Sequence, residues 1–118
     1  MSQFFQMRQF FHTLLLIPFF VGASLSGATL YVTNLTTNQV FPITVPGNTI
    51  GAPIPVGTLP ASVVLTSDNA TAVVVNAGSD NVTFINTATN SVITTLATGG
   101  APQTAAITPD DQFVYVVN

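Results

Sequence analysis

The chain has 118 residues, enough for one small domain, and carries only four Asp, one Arg and no Lys or Glu. Its single cation, Arg8, sits near the start, so the part after residue 28 has no basic side chain. That excludes a phosphate-neutralising nucleic-acid surface, a polybasic membrane patch and an arginine clamp, and the absence of Cys excludes disulfides and zinc–thiolate sites.

Low charge does not mean disorder here. Hydrophobic residues make up 47% of the chain, with Val, Ile and Thr abundant, whereas disordered segments combine low hydrophobicity with high charge. The β-branched bias predicts an all-β fold.

Met1 to Gln9 is a short polar start holding Arg8, and Phe10 to Leu25 is largely apolar. Small residues follow at Ser24, Ser26, Gly27 and Ala28. This order predicts a secretory signal peptide over residues 1–28, with cleavage after Ser24 or Ser26 as variants and a retained anchor as the alternative. His12 and Pro18 interrupt an apolar run already short of the roughly 20 residues that span a bilayer. His12 therefore receives no catalytic role. The expected destination is secreted, periplasmic or cell-surface.

From residue 29 onward the chain repeats itself. Tyr31-Val32-Thr33-Asn34 recurs as Val73-Val74-Val75-Asn76 and as Tyr115-Val116-Val117-Asn118, at a spacing of 42 residues both times. Asn38 and Asp80, Val40 and Val82, Ile43 and Ile85, and Asn48 and Asn90 keep the same offset. So do Gly57 and Gly99, Pro60 and Pro102, Thr66 and Thr108, and Asp68 and Asp110. No gap is needed.

One period reads as four short strands: Ser62 to Thr66, Thr71 to Asn76, Asn81 to Asn86 and Ser91 to Thr98. Turn residues separate them: Ser67-Asp68-Asn69, Ala77-Gly78-Ser79-Asp80 and Thr87-Ala88-Thr89-Asn90. Ala72 to Val75 is apolar on both faces, as a strand between two layers should be. Four antiparallel strands in about 40 residues is the arithmetic of a β-propeller blade, which needs neighbours to bury its faces. Residues 29–118 are thus expected to form an incomplete β-propeller: three strands of one blade, one whole blade, and two strands of a third, nine in all. A seven-bladed ring at this period would need about 290 residues. Closure would require further C-terminal blades or self-association.

These residues resemble the YVTN family of β-propeller repeat proteins. The matching pieces are YVTN at 31–34, NVTFINTATNSVITTLATGG at 81–100 and APQTAAITPDDQFVYVVN at 101–118. Asn86 stands where the family commonly has Asp, Ser67 where it has Pro, and Asn69 and Asp111 where a turn Gly is usual. The resemblance implies a surface-layer or cell-surface role.

No catalytic, cofactor or metal site is expected. Asp110 and Asp111, like Asp68, fall on a predicted turn where Asp caps backbone N–H groups. Asp80 alone is a weak start for a calcium site, which needs six to eight oxygens. A serine nucleophile needs a base, and no His or Lys follows residue 28. Asn34, Asn69 and Asn81 begin glycosylation triplets. Asn34, Asn76 and Asn118 read as strand-end residues that satisfy local backbone groups, and Tyr31 and Tyr115 as packing residues. The expected function is a structural or binding module outside the cytoplasm, with a protein or glycan partner and no nucleic acid. The alternative is the N-terminal part of a propeller enzyme, a lactonase-like hydrolase or cofactor-dependent dehydrogenase, whose active site lies in other blades.

Overall fold

The computed structural model describes residues 27–118, so the predicted signal peptide lies almost wholly outside the described residues. These residues form strands joined by turns, with no helix among them. The middle sheet is one four-stranded antiparallel blade in the order β5 (Pro60–Leu65), β6 (Thr71–Asn76), β7 (Asn81–Asn86) and β8 (Ser91–Ala97). Each strand starts and stops where its turn residues do.

On one side lies a blade made of β1 (Ala28–Asn34), β2 (Gln39–Val45), β3 (Thr49–Ile50) and β4 (Ile54–Pro55). On the other lies the hairpin of β9 (Thr104–Ile107) and β10 (Val114–Val117). We refer to these three units as blades 1, 2 and 3. The protein is all-β, a partial β-propeller.

Ten strands replace the expected nine because the outer strand of blade 1 is split in two. The cause is visible in the register. In blade 2 the β7–β8 ladder slips by one residue between Phe84 and Ile85, a β-bulge. Blade 1 slips at the equivalent point, with Ile43 opposite Ile50 but Val40 opposite Ile54. There Pro42 stands in place of Phe84 and Pro53 in place of Thr95, so two ladder donors are missing and pairing lapses. A single bond, from Gly51 N to Pro42 O at 2.8 Å, holds the gap.

Strand β6 carries the core on both faces. Ala72 and Val74 join Tyr31, Val40, Ile54 and Ile85 in one buried cluster between blades 1 and 2. Val73 and Val75 join Val82 and Ala105 in a second, between blades 2 and 3. All four β6 residues have no exposed surface. Blade packing is thus the hydrophobic core, as the both-faces-apolar pattern requires.

The repeat extends to the backbone. Among the described residues, eight that are not glycine have positive φ, and they form four pairs one period apart: Asn38 with Asp80, Asn48 with Asn90, Leu59 with Ala101, and Asn69 with Asp111. Six of the eight are Asn or Asp, the residues that tolerate the left-handed region best. Leu59 and Ala101 are not, and something must hold them there.

Candidate functional site

The junctions between blades concentrate the polar chemistry of this chain. Leu59 and Ala101 lie in the connectors that carry the chain from one blade to the next. Each is at a φ near +50°, which costs a branched or methyl side chain about 1–2 kcal/mol. Each is held by the preceding blade: Leu59 N donates to Asn38 Oδ1 at 3.0 Å, and Ala101 N to Asp80 Oδ1 at 2.7 Å. The backbone oxygens of Asn38 and Asp80 accept from Val56 N and Thr98 N. Asn38 and Asp80 therefore clamp the exit of their own blade from both ends of the residue. The first connector also crosses the β6–β7 turn, where Thr58 O and Leu59 O accept from Gly78 N and Ala77 N.

Asp111 works across a junction too. Its carboxylate takes Ser67 N at 2.8 Å and Ser67 Oγ at 2.6 Å, joining the first turn of blade 3 to that of blade 2. Sequence position alone assigned it to its own turn. Only its neighbour does that work: Asp110 accepts from Thr108 Oγ1 at 2.5 Å and Gln112 N at 3.2 Å. Asp68, one period earlier, accepts from Thr66 Oγ1 at 2.6 Å and Ala70 N at 2.8 Å.

These two carboxylates are held below the ordinary aspartate value of 3.8, first by the threonine hydroxyl and then by the backbone N–H. The folded form therefore favours the ionised carboxylate. That contribution is complete above the unfolded value and is lost as pH falls through the lowered folded ones. We expect the contribution of these two carboxylates to stability to be lost in the acid range below about pH 4. In an NMR carboxyl titration Thr66→Val should raise Asp68 toward its ordinary value, with the Ala70 N–H bond still holding it partly down, while Asp110 is unchanged.

Tyr31 is buried at 8% exposure, and its hydroxyl donates to Asn90 Oδ1 at 2.6 Å, in the β7–β8 turn of blade 2. Burial raises its pKa, keeping the hydroxyl a donor. A cleft of about 400 Å³ opens beside this contact, bordered by Tyr31, Leu65, Asn69 and Thr87. Tyr115 differs from its repeat-mate: it is 63% exposed and stacks obliquely near Phe113, with ring centroids 6.4 Å apart. The packing role expected for both tyrosines holds for Tyr31 alone.

The repeated asparagines also diverge. Asn34 accepts from Thr36 N and Thr37 N, the expected local cap. Asn76 does not. It is fully buried, and its amide donates to Asn81 Oδ1 and Thr83 Oγ1 at 2.8 and 2.9 Å, while its Oδ1 has no hydrogen-bond partner. Of the three glycosylation triplets, the Asn81 side chain is engaged in this network through Asn76 and Ser79 O, whereas Asn69 is exposed on its turn. Among the described residues, no three His, Cys, Asp or Glu gather in a way that could hold a metal ion.

No protein-family model matches the sequence, and no curated protein matches it. Solved structures do. The chain is similar to Kuenenia stuttgartiensis hydrazine synthase, with a TM-score of 0.72 and 26% identity over 75% of this chain and 25% of that one. It is also similar to a functionally unknown protein from Desulfotomaculum acetoxidans, with a TM-score of 0.69 and 21% identity over 75% of this chain and 31% of the other. The chain thus spans a quarter to a third of the solved chains it matches. The second likeness speaks to fold alone.

Proposed function

We propose that this chain is a YVTN-type β-propeller repeat module working outside the cytoplasm, with a structural or binding role at the cell surface or in the periplasm. One observation carries the reading most: the 42-residue period governs sequence, positive-φ positions and the bonds that tie each blade to its exit connector together, so the chain is built for regular blade stacking. The carboxylates with described partners hold turns and junctions, and the apolar run Phe10 to Leu25 supports export. A protein or glycan partner fits a surface that offers hydroxyls, amides and apolar side chains but no cation after residue 28.

The alternative, a propeller enzyme, draws on the likeness to a segment of hydrazine synthase. In that reading this segment supplies scaffold, and acid–base groups come from blades outside it, because no His or Lys follows residue 28.

Expression in a secretion-competent host tests the leading reading. The product is expected in the extracytoplasmic fraction, beginning between Leu25 and Thr29. An intact product still containing Arg8, in a host that processes comparable exports, would overturn the cleavage claim.

A further inference from the structure

The three Asn-x-Thr triplets are alike in sequence, but the fold treats their side chains very differently. Glycosylation at such a triplet joins the sugar to the Asn side-chain nitrogen and requires the Thr hydroxyl, on the surface of a secreted protein. Asn81-Val82-Thr83 fails on both groups. Asn81 Nδ2 donates to Ser79 O at 3.0 Å, and Thr83 is 1% exposed, with its hydroxyl bonded to Asn76 Nδ2 and Thr95 Oγ1. Asn34-Leu35-Thr36 lies on a turn, but Asn34 is half-buried and its side chain is the cap for Thr36 N and Thr37 N.

Asn69-Ala70-Thr71 is built otherwise. Asn69 and Ala70 are exposed on the turn between β5 and β6. Backbone groups and Asp68 hold that turn. Asn69 N donates to Thr66 O at 2.9 Å, Ala70 N to Asp68 Oδ1 at 2.8 Å, and Thr87 Oγ1 to Asn69 O at 2.6 Å. Among the described residues, neither the Asn69 amide nor the Thr71 hydroxyl makes a hydrogen bond of its own. The repeat-mate Asp111 has the same φ of 58° but commits its carboxylate to Ser67 N and Oγ. One period earlier the position of Ser67 is held by Leu25, which has no hydroxyl to offer Asn69. A sugar on Asn69 also has room, because the cleft bordered by Tyr31, Leu65 and Thr87 opens beside it.

We propose that Asn69 is the N-glycosylation acceptor of the exported chain. The inference rests on the export reading, since the modification belongs to secreted proteins. The co-reactant is a lipid-phosphate-linked oligosaccharide, supplied with its transferase by the export route. Asn69 Nδ2 forms a bond to the anomeric carbon as the anomeric C–O bond breaks. The lipid phosphate leaves with the bonding electron pair, and the amide gives up one proton. The turn survives, because none of its bonds uses the Asn69 side chain.

The test is secretory expression of the full chain in a host that modifies a control Asn-x-Thr protein. Intact mass and peptide mapping should find an oligosaccharide on Asn69, and release by an amidase should leave Asp at that position. Asn69→Asp should lose the added mass and keep the fold, since Asp111 already occupies the equivalent turn. Thr71→Val, which keeps the branched shape and removes only the hydroxyl, should lose it as well. Thr71→Ser should retain it. Circular dichroism verifies that each variant folds.

An exported chain with Asn69 unmodified overturns the proposal, whether or not Asn34 carries sugar, and leaves Asn69 a turn residue only. So does an added mass that Asn69→Asp does not remove. Retention of Arg8 in an unexported product is failure of the export reading instead. The same full chain is then placed behind the host's own leader. Sugar on Asn69 in that product supports the acceptor assignment, and an unmodified Asn69 overturns it.

Discussion

Val74→Asp should abolish cooperative unfolding, whereas Val32→Asp, at the equivalent position one blade earlier, should leave the monomer's melt almost unchanged. Val74 has no exposed surface and packs among Tyr31, Val40, Ile54, Ala72 and Ile85, none of which can pair with a carboxylate there. Its strand partners, Val63 and Thr83, fix the backbone on either side, so the side chain cannot swing out to water. A buried carboxyl without a charged partner is driven to its neutral form and still leaves polar atoms unsatisfied, at several kcal/mol. That loss is comparable to the whole stability of a small domain, about 5–15 kcal/mol. Val74→Ala keeps the site apolar and should cost about 2 kcal/mol through lost burial and a residual cavity. Val32 is 46% exposed on the side of blade 1 that faces away from blade 2, so a carboxylate there stays in water. Urea melts followed by far-UV circular dichroism measure all three. A Val74→Asp melt within about 1 kcal/mol of the parent would show that the junction is not the core it looks to be.

The blade was legible in the sequence because its signals are local. Val and Ile runs alternate with Asn, Asp and Gly turns, and the 42-residue register ties three copies together, so β6 to β8 begin where expected and end within a residue of it. The split outer strand of blade 1 was not foreseen, although Pro42 and Pro53 were in plain view. Their effect depends on a register slip that only the ladder reveals. The junction chemistry was harder still. Tyr31 finds Asn90 across 59 positions, and Asp111 finds Ser67 across 44. Local turn rules assign such residues to their own turn, which is correct for Asp110 and wrong for Asp111. Left-handed backbone at Leu59 and Ala101 runs against local propensity altogether, and it is the clamp from Asn38 and Asp80 that makes it tolerable. The repeated Asn and Asp at that offset were the available signal. Their partners lie 21 residues on, outside any turn window.

Gly57→Ala should destabilise the chain by about 2–4 kcal/mol, more than the same change at any turn glycine with open space around it. The reason is close approach, not backbone conformation, since Gly57 is not among the residues with positive φ. A Cβ there would fall 2.7 Å from Asn76 Cγ and Nδ2, and closer still to Ser79 Oγ. Asn76 cannot yield freely: it is fully buried and its amide is spanned by Asn81 Oδ1 and Thr83 Oγ1. Ser79 Oγ in turn accepts from Thr58 N, at the connector that leads into blade 2. The added methyl must therefore push the connector outward or break the buried network, and either route strains the junction that Asn38 clamps. Gly100→Ala is the control, because nothing lies within 4 Å of a Cβ at that position. A double-mutant cycle identifies the mechanism. Asn76→Ala removes the buried part of the obstruction and leaves only the Ser79 hydroxyl, which can rotate away, so Gly57→Ala should cost less in that background, and the two single effects should fail to add by more than about 1 kcal/mol. Additive losses in denaturant melts would place the strain of Gly57→Ala elsewhere in the connector and remove Asn76 from the account.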